Sequence, residues 1–536
     1  MFGLALTVAF GFGGASVGLA QNQGAPPQAQ AVAKAEPEPE LPVNTFTLRN
    51  GLTVVVLEQP GVTSFTATFL HQAGVAREWQ GLRGAAQLVG TSLLDGTSRV
   101  GSKNWRQEQQ ALRELDRLDR QLAQVRAERA RAGSVLQLAL DARVEQLSAQ
   151  FEAAKTKHEA LVDKGAWQAA YAKLGAEGPE VEVGHDGVAY SVTLPVTALQ
   201  PFFALEQSRA SDPVARSFYS ARAELHDGFV QAQTGEGAYP ILSALSSTAY
   251  VSHPYGRYKA SPEQLMGVDR AELQFFLKAF TAPSRTVLAV VGGVQASQVK
   301  RLAERTLGRV VGGNPAAELE GLEPTQTGSK KVFVEGADSA EFLAAFHAGS
   351  VNDPADSAAM SVLIELMGDP NRGLLKAVQQ RHGQDAPVSA GLFPAGGPLG
   401  PRDPPVVVLG MASPAPGVAC AMEADLWLAL AVVATSGPPE AELKAAKARA
   451  SARVGALWAD HALMAPALAW TKLTTGDARA LLAHYDAISG VGPADIRELA
   501  TKVFNPDGRT VVVGWPSSAG DYNASCVNSG AAAARQ

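Results

Sequence analysis

Cysteine is nearly absent from this chain: its 536 residues include only Cys420 and Cys526. That is too few for a disulfide scaffold, and the pair lacks the C-x-x-C spacing of a zinc or redox site. The sequence permits a bridge between them but does not require one. Paired histidines are missing too. His71, His158, His185, His226, His253, His347, His382, His461 and His484 include no two that stand three or four residues apart, the spacing that puts two imidazoles on one helical face. Glu224, His226 and Asp227 are close in sequence, yet i and i+2 on a helix point to different sides, so they do not converge on a metal. The serines of "HAGS" and "GMAS" sit in no G-x-S-x-G elbow, and no Gly-rich loop ends in Lys-Ser/Thr. Serine and P-loop nucleotide chemistry are therefore unsupported. The net charge of -6 is spread along the chain without a basic stripe, which argues against a nucleic-acid partner.

The chain has ample apolar material. With 46% hydrophobic and 18% charged residues, it can build packed cores, and its length suggests two to four domains. Residues 1–20 begin with an apolar run from Phe2 to about Ala20 that ends in Gly18-Leu19-Ala20, the pattern of an export leader. This predicts an exported, periplasmic protein, or one held at a membrane if the leader stays uncleaved. Residues 21–41 are rich in Pro, Gln, Ala and Glu and read as a linker.

From residue 42 onward strand-like and helical pieces alternate. "NTFTLRNGLTVVVLEQ" carries period-two apolar positions around Asn-Gly, a strong hairpin signal. Residues 105–172 are instead Ala-, Arg-, Glu- and Leu-rich. Leu115, Leu118, Leu122 and Val125, then Leu140, Val144, Leu147, Phe151 and Ala154, recur at helical spacing on either side of Gly133-Ser134, predicting an inserted antiparallel helical hairpin with a heptad seam. "AELQFFLKAFTAPSRTVLAVVGG" (Ala271 to Gly293) and "ADIRELATKVFNPDGRTVVVGWP" (Ala494 to Pro516) share a helix, a Pro-containing turn, Arg-Thr and a Val-rich strand. A repeated ending of this kind predicts two homologous α+β units. Each is expected to be an antiparallel sheet with helices on one face, spanning 42–312 and 332–517. A linker covers 313–331, and a disordered tail follows at 518–536.

One segment links these pieces to chemistry. "HQAGVAREWQGLRGAAQLVGTSLLDGTSRVGSKN" resembles the signature of the pitrilysin/insulinase family of zinc peptidases through Gly74, Glu78, Gly81, Gly84, Ala86, Leu94, Gly96, Thr97, Gly101, Ser102, Lys103 and Asn104. Glu206 and Arg209, and the His-Pro-Tyr-Gly of Ser252 to Gly256, extend the resemblance over Asn44 to about Gly313. The resemblance implies a helix carrying H-x-x-E-H: two His and a distal Glu hold Zn²⁺, and the intervening Glu takes a proton from its water. Aligned on the glycines, those positions are Gln87, Gly90 and Thr91, and the distal ligand position falls on Gly228. Neutral amide and hydroxyl oxygens do not replace imidazoles, and Gly90 removes the base. No metal or other cofactor is expected.

In the second half, Arg372 and Arg381 stand where the family can grip substrate backbone, but Ala386 or Pro387 takes the place of the companion Tyr. Ordinary surface arginines are the simpler reading. Family members form clamshells that often pair a zinc-bearing chain with a degenerate one. The sequence therefore leads to a catalytically silent homologue in a heteromeric peptidase, with a zinc-bearing homologous subunit as partner. The alternatives are a structural or peptide-binding scaffold without such a partner, with a homodimer as its assembly, and an active peptidase with an unusual ligand set.

Overall fold

The structure is a computed structural model that describes residues 42–516, apart from 177, 235–238, 259, 315–322, 336–339 and 414–415. The expected leader (1–20), linker (21–41) and tail (518–536) lie outside the described residues, as does part of the 313–331 linker. The first unit contains strands β1 (Val43–Thr47), β2 (Thr53–Glu58) and β3 (Ser64–His71), followed by helices α1 (Ala85–Ser92), α2 (Trp105–Arg131), α3 (Ser134–Leu161) and α4 (Ala166–Ala172). Strands β4 (Glu180–Val183) and β5 (Val188–Pro195) follow, then helices α5 (Leu199–Ser211), α6 (Phe218–Thr234), α7 (Tyr239–Ala249), α8 (Pro262–Met266) and α9 (Arg270–Phe280). Strand β6 (Thr286–Gly292) and helix α10 (Ala296–Arg305) close the unit.

The second unit runs β7 (Lys330–Glu335), β8 (Ala340–His347), α11 (Pro354–Gly368), α12 (Leu374–Arg381), β9 (Val388–Phe393) and β10 (Val406–Ser413). It continues through α13 (Pro416–Ser436), α14 (Glu440–Ala459), α15 (His461–Thr475), α16 (Ala480–Gly490), α17 (Pro493–Val503) and β11 (Arg509–Trp515). The first sheet has the order β1-β2-β6-β3-β5-β4 and the second β7-β11-β8-β10-β9.

The repeat seen in the sequence forms the same part of each unit. Its first copy is α9 and β6, its second α17 and β11. β6 lies parallel to β2 and antiparallel to β3; β11 lies parallel to β7 and antiparallel to β8. Every other strand pair is antiparallel. At the Asn-Gly turn Gly51 takes φ 89°, a left-handed conformation that costs glycine least. The Asn50 amide donates to the carbonyls of Leu307 and Val310 at 2.8 and 3.0 Å, tying the turn to the end of the unit.

The units exchange one helix each. α15 of the second unit packs on the first sheet, where Trp470 lies over Gly184 and Gly187 and the His461 ring bonds the Ser64 hydroxyl at 2.8 Å. α7 of the first unit covers the second sheet: Ile241, Leu242 and Leu245 join Leu343, Ala345, Val406, Val408 and Val512 in one core. Each sheet is thus covered on both faces, and separating the units would strip apolar surface from both.

α13 is apolar enough over Val418–Ser436, with mean hydropathy 1.7, to cross a membrane by length and composition alone. One face of it, with Met422, Leu426, Leu430 and Val433, is buried in the second core, while Leu428 and Val432 on another face are exposed. Cys420 on this helix is disulfide-bonded; the chain's other cysteine, Cys526, lies outside the described residues.

Candidate functional site

The segment that resembles the peptidase signature divides into a retained frame and altered chemical positions. The frame residues hold backbone. Gly84 opens α1 at φ 96°, and Glu78 satisfies the helix start by accepting from the Ala86 amide at 2.9 Å while Arg83 donates to its other oxygen at 2.9 Å. Helix N-termini present unpaired N–H groups, so a buried carboxylate fits there. Burial pushes the Glu78 carboxyl up from its ordinary range, opposed by Arg83 and the helix amides. A β-carbon on Gly74 would meet the His185 carbonyl oxygen at 2.1 Å, so only glycine allows that chain crossing. Thr97 accepts from the amides of Arg99 and Val100, both at 3.1 Å.

The helix face itself has been closed. A β-carbon at Gly90 would lie 3.0 Å from Val183 Cγ2 and 3.2 Å from Val181 Cγ1, so β4 packs directly on α1 at the position that the resemblance assigns to the base. Thr91 turns its hydroxyl back to the Leu88 carbonyl at 2.9 Å. The Gln87 amide oxygen is buried and has no hydrogen-bond partner among the described residues. Gly228 is exposed on α6, and nothing stands within 4 Å of where its β-carbon would be. No group of three or more His, Cys, Asp or Glu able to hold a metal occurs among the described residues. The zinc ion of the family does not fit here: the donors are an amide and a hydroxyl, the base position is filled by valine methyls, and the distal position has no side chain.

The other motif residues support structure. Glu206 receives Arg209 Nε at 2.8 Å and the Tyr171 hydroxyl, with both charges buried, and the Arg209 guanidinium stacks on Tyr190 at 4.3 Å. A buried ion pair needs such additional partners to offset desolvation. His253 accepts from the Tyr255 amide at 3.2 Å and so caps the turn it begins. The Tyr255 hydroxyl donates to Asp186 at 2.8 Å, and the Arg402 amide of the second unit donates to the other Asp186 oxygen at 2.9 Å. His71 bonds the Thr286 hydroxyl at 2.8 Å; burial, with Arg209 nearby, lowers its pKa well below the ordinary imidazole value.

Arg372 precedes α12 and Arg381 is its last residue; both are exposed. Arg381 lies 3.6 Å from Asp425 on α13. The Arg372 backbone amide donates to Asp369 at 3.2 Å.

Sequence reading did not find the joint between the units. There Glu323 accepts from the amides of Val251, Ser252 and His253 at 2.7–3.0 Å. It also did not find a cavity of about 340 Å³ in the second unit, lined by Met360, Ile364, Leu392, Val454, Leu457 and Leu463 among others. Neither feature has a local signature, since each joins segments far apart in the chain.

Two related sheets, each followed after its central strand by a helix lying toward an edge strand, make up the architecture. Residues 267–450 match the family model described as Peptidase M16 inactive domain. The fold is similar to a protease from Helicobacter pylori, with TM-score 0.69 and 15% identity over 89% of this chain and 100% of that one. It is similar to a peptidase M16 inactive domain from Pseudomonas fluorescens, with TM-score 0.67 and 18% identity over 89% and 99%. It also resembles the periplasmic protease PqqL from Escherichia coli, with TM-score 0.60 and 12% identity over 92% of this chain and 51% of that one. At these identities the structural likeness is one of fold. No curated protein matches the chain significantly in sequence. The match to the M16 inactive domain over residues 267–450, together with the shared fold, supports a relationship to the M16 peptidases, the pitrilysin/insulinase family.

Proposed function

We propose that this chain is a catalytically silent M16 homologue that pairs with a zinc-bearing homologous subunit and supplies wall and support to a peptide-enclosing chamber. The observation that carries this reading is the contact at Gly90. Side chains of β4 occupy the place of the general base, while the glycines and Glu78 that shape the segment remain. A fold kept intact around a filled site favours a role in assembly over one in turnover. An exported, periplasmic location fits the apolar run from Phe2 to about Ala20 and the disulfide at Cys420, because disulfides persist in oxidising compartments.

The test is affinity purification of the full chain from its own cells, followed by peptidase assay of what accompanies it. Recovery of an H-x-x-E-H subunit whose peptide cleavage rises with this chain present is expected. A monodisperse homodimer that ignores such a subunit would replace the reading with a scaffold.

A further inference from the structure

The α2–α3 hairpin is held to the first unit only along its base. Arg270 meets Asp116 at 2.7 and 2.8 Å, Arg222 meets Asp119 at 2.5 and 3.0 Å, and Phe151 packs edge-on to Tyr219 at 5.3 Å. Arg120, 3.6 Å from Asp269, is the outermost of these anchors on α2. Beyond it, the polar contacts of the described residues stay inside the hairpin, as in the pair Arg129–Asp141. At 1.5 Å per residue the free part projects about 20 Å.

The end of this projection carries an unusual surface. Val135, Leu136 and Leu138 are 91%, 57% and 78% exposed in the first turns of α3, with Val135 and Leu138 on one side of the helix and Leu136 on another. Arg131 at the end of α2, and Arg126 and Arg143 further down the two helices, are exposed, and no ion pair with a carboxylate is formed by any of the three among the described residues. The segment from Arg126 to Arg143 holds four arginines, with Glu128 and Asp141 as its only acids and no aromatic residue, in a chain whose net charge is -6. Apolar side chains at a tip, with cations not paired to carboxylates behind them, complement a surface that offers hydrocarbon beneath a layer of negative charge. Three aliphatic side chains make too small a patch for a stable protein interface, which needs about 20–30 residues per side, with aromatics at its centre.

We propose that the hairpin tip docks on an anionic lipid bilayer. Val135, Leu136 and Leu138 enter the boundary between headgroups and acyl chains, and Arg126, Arg131 and Arg143 meet lipid phosphates. Each contact is weak alone; aliphatic insertion and charge act as the two signals that reversible attachment requires.

The experiment mixes the full chain with vesicles of phosphatidylcholine, with or without roughly 30% phosphatidylglycerol, and measures co-sedimentation. Binding is expected only to the anionic vesicles. It should fall at least about tenfold in V135S/L136S/L138S, about fivefold for each of Arg126→Gln, Arg131→Gln and Arg143→Gln, and further as salt rises from about 0.1 to about 0.5 M. An environment-sensitive dye on Leu138→Cys should report a less polar setting on adding anionic vesicles, while the same dye on Lys173→Cys should not change. Absence of anionic binding, a dye at position 138 that stays in water, or sedimentation untouched by the triple substitution overturns the proposal. So does a tip variant that loses a protein subunit while the unaltered chain ignores vesicles, which would make the tip a protein-docking surface.

Discussion

In the first unit α1 lies against edge strand β4, with the Gly90 position in contact with Val181 and Val183. In the second unit α11 lies against edge strand β9, and between them and α14 a cavity of about 340 Å³ remains. Both helices follow the central strand of their sheet, so the same architecture has closed one gap and left the other open. The difference comes from side-chain volume at the contact. At Gly90 a missing β-carbon lets the strand reach the helix. Around α11 the helix closes on β9 at its end, where Gly368 meets Ala390, and Ser361 and Ile364 further back face open space. Glu365, the carboxylate at that cavity, is paired with Arg449 at 3.2 Å and with Arg453.

The sharpest way to break this comparison is to restore the family's residue at the closed gap. Gly90→Glu forces a carboxylate between two valines and should cost about 4 kcal/mol, read as a large fall in the thermal midpoint of the first unit. Val183→Ala in the same chain should return part of that loss.

Acidification should give the next largest effect. Burial pushes the His185 pKa down from 6.5 to about 4, and that of His484 likewise to about 4. Both must lose stability as pH falls through 6.5 toward 4, because the unfolded chain takes up protons there first. Asp95 works in the opposite sense. Burial raises it to about 6, so its neutral form favours the fold in acid, and that support is lost as pH rises from 3.8 to 6. Between about pH 7 and about pH 5 each histidine should cost about 2 kcal/mol. The His185 ring sits edge-on between Tyr255 of the first unit and Phe393 of the second. His185→Phe should therefore flatten the acid limb of the stability curve while leaving the neutral limb nearly unchanged.

Small substitutions refine the contrast. Gly90→Ala should destabilise by about 1 kcal/mol, since crowding against β4 outweighs the helix propensity gained. Ser361→Leu, which points bulk into the open cavity, should cost less than about 0.3 kcal/mol or stabilise the chain. Equal costs at the two sites would erase the distinction between the filled gap and the open one.

Much of the fold could be read from local pattern. The α9–β6 and α17–β11 repeat, the Asn-Gly turn and the apolar spacing of the hairpin helices each depend on residues near one another in the chain, and their physics is local. The signature glycines were legible for the same reason, because a left-handed φ at Gly84 or a chain crossing at Gly74 is a demand on one residue. The exchange of α7 and α15 was not legible. Both helices are apolar enough for any core, and only the fitted sheet decides which one receives them. The closure at Gly90 was not legible: the family resemblance alone assigned Gln87, Gly90 and Thr91 to ligand and base positions, and "EVEV" in β4 gave no sign that its valines would pack there. The bridge at Cys420 was equally open, since two cysteines can pair or remain free without changing any local pattern.

The central claim is that the α1 face is filled by side chains and offers no seat for a Lewis acid. Metal analysis of the purified chain, loaded with zinc and then passed through a desalting column, tests this most directly when the same sample is assayed for cleavage of an unstructured peptide. The account predicts zinc well below one ion per chain and no cleavage that a chelator abolishes. One tightly held zinc per chain, with turnover that chelation stops and zinc restores, would contradict it.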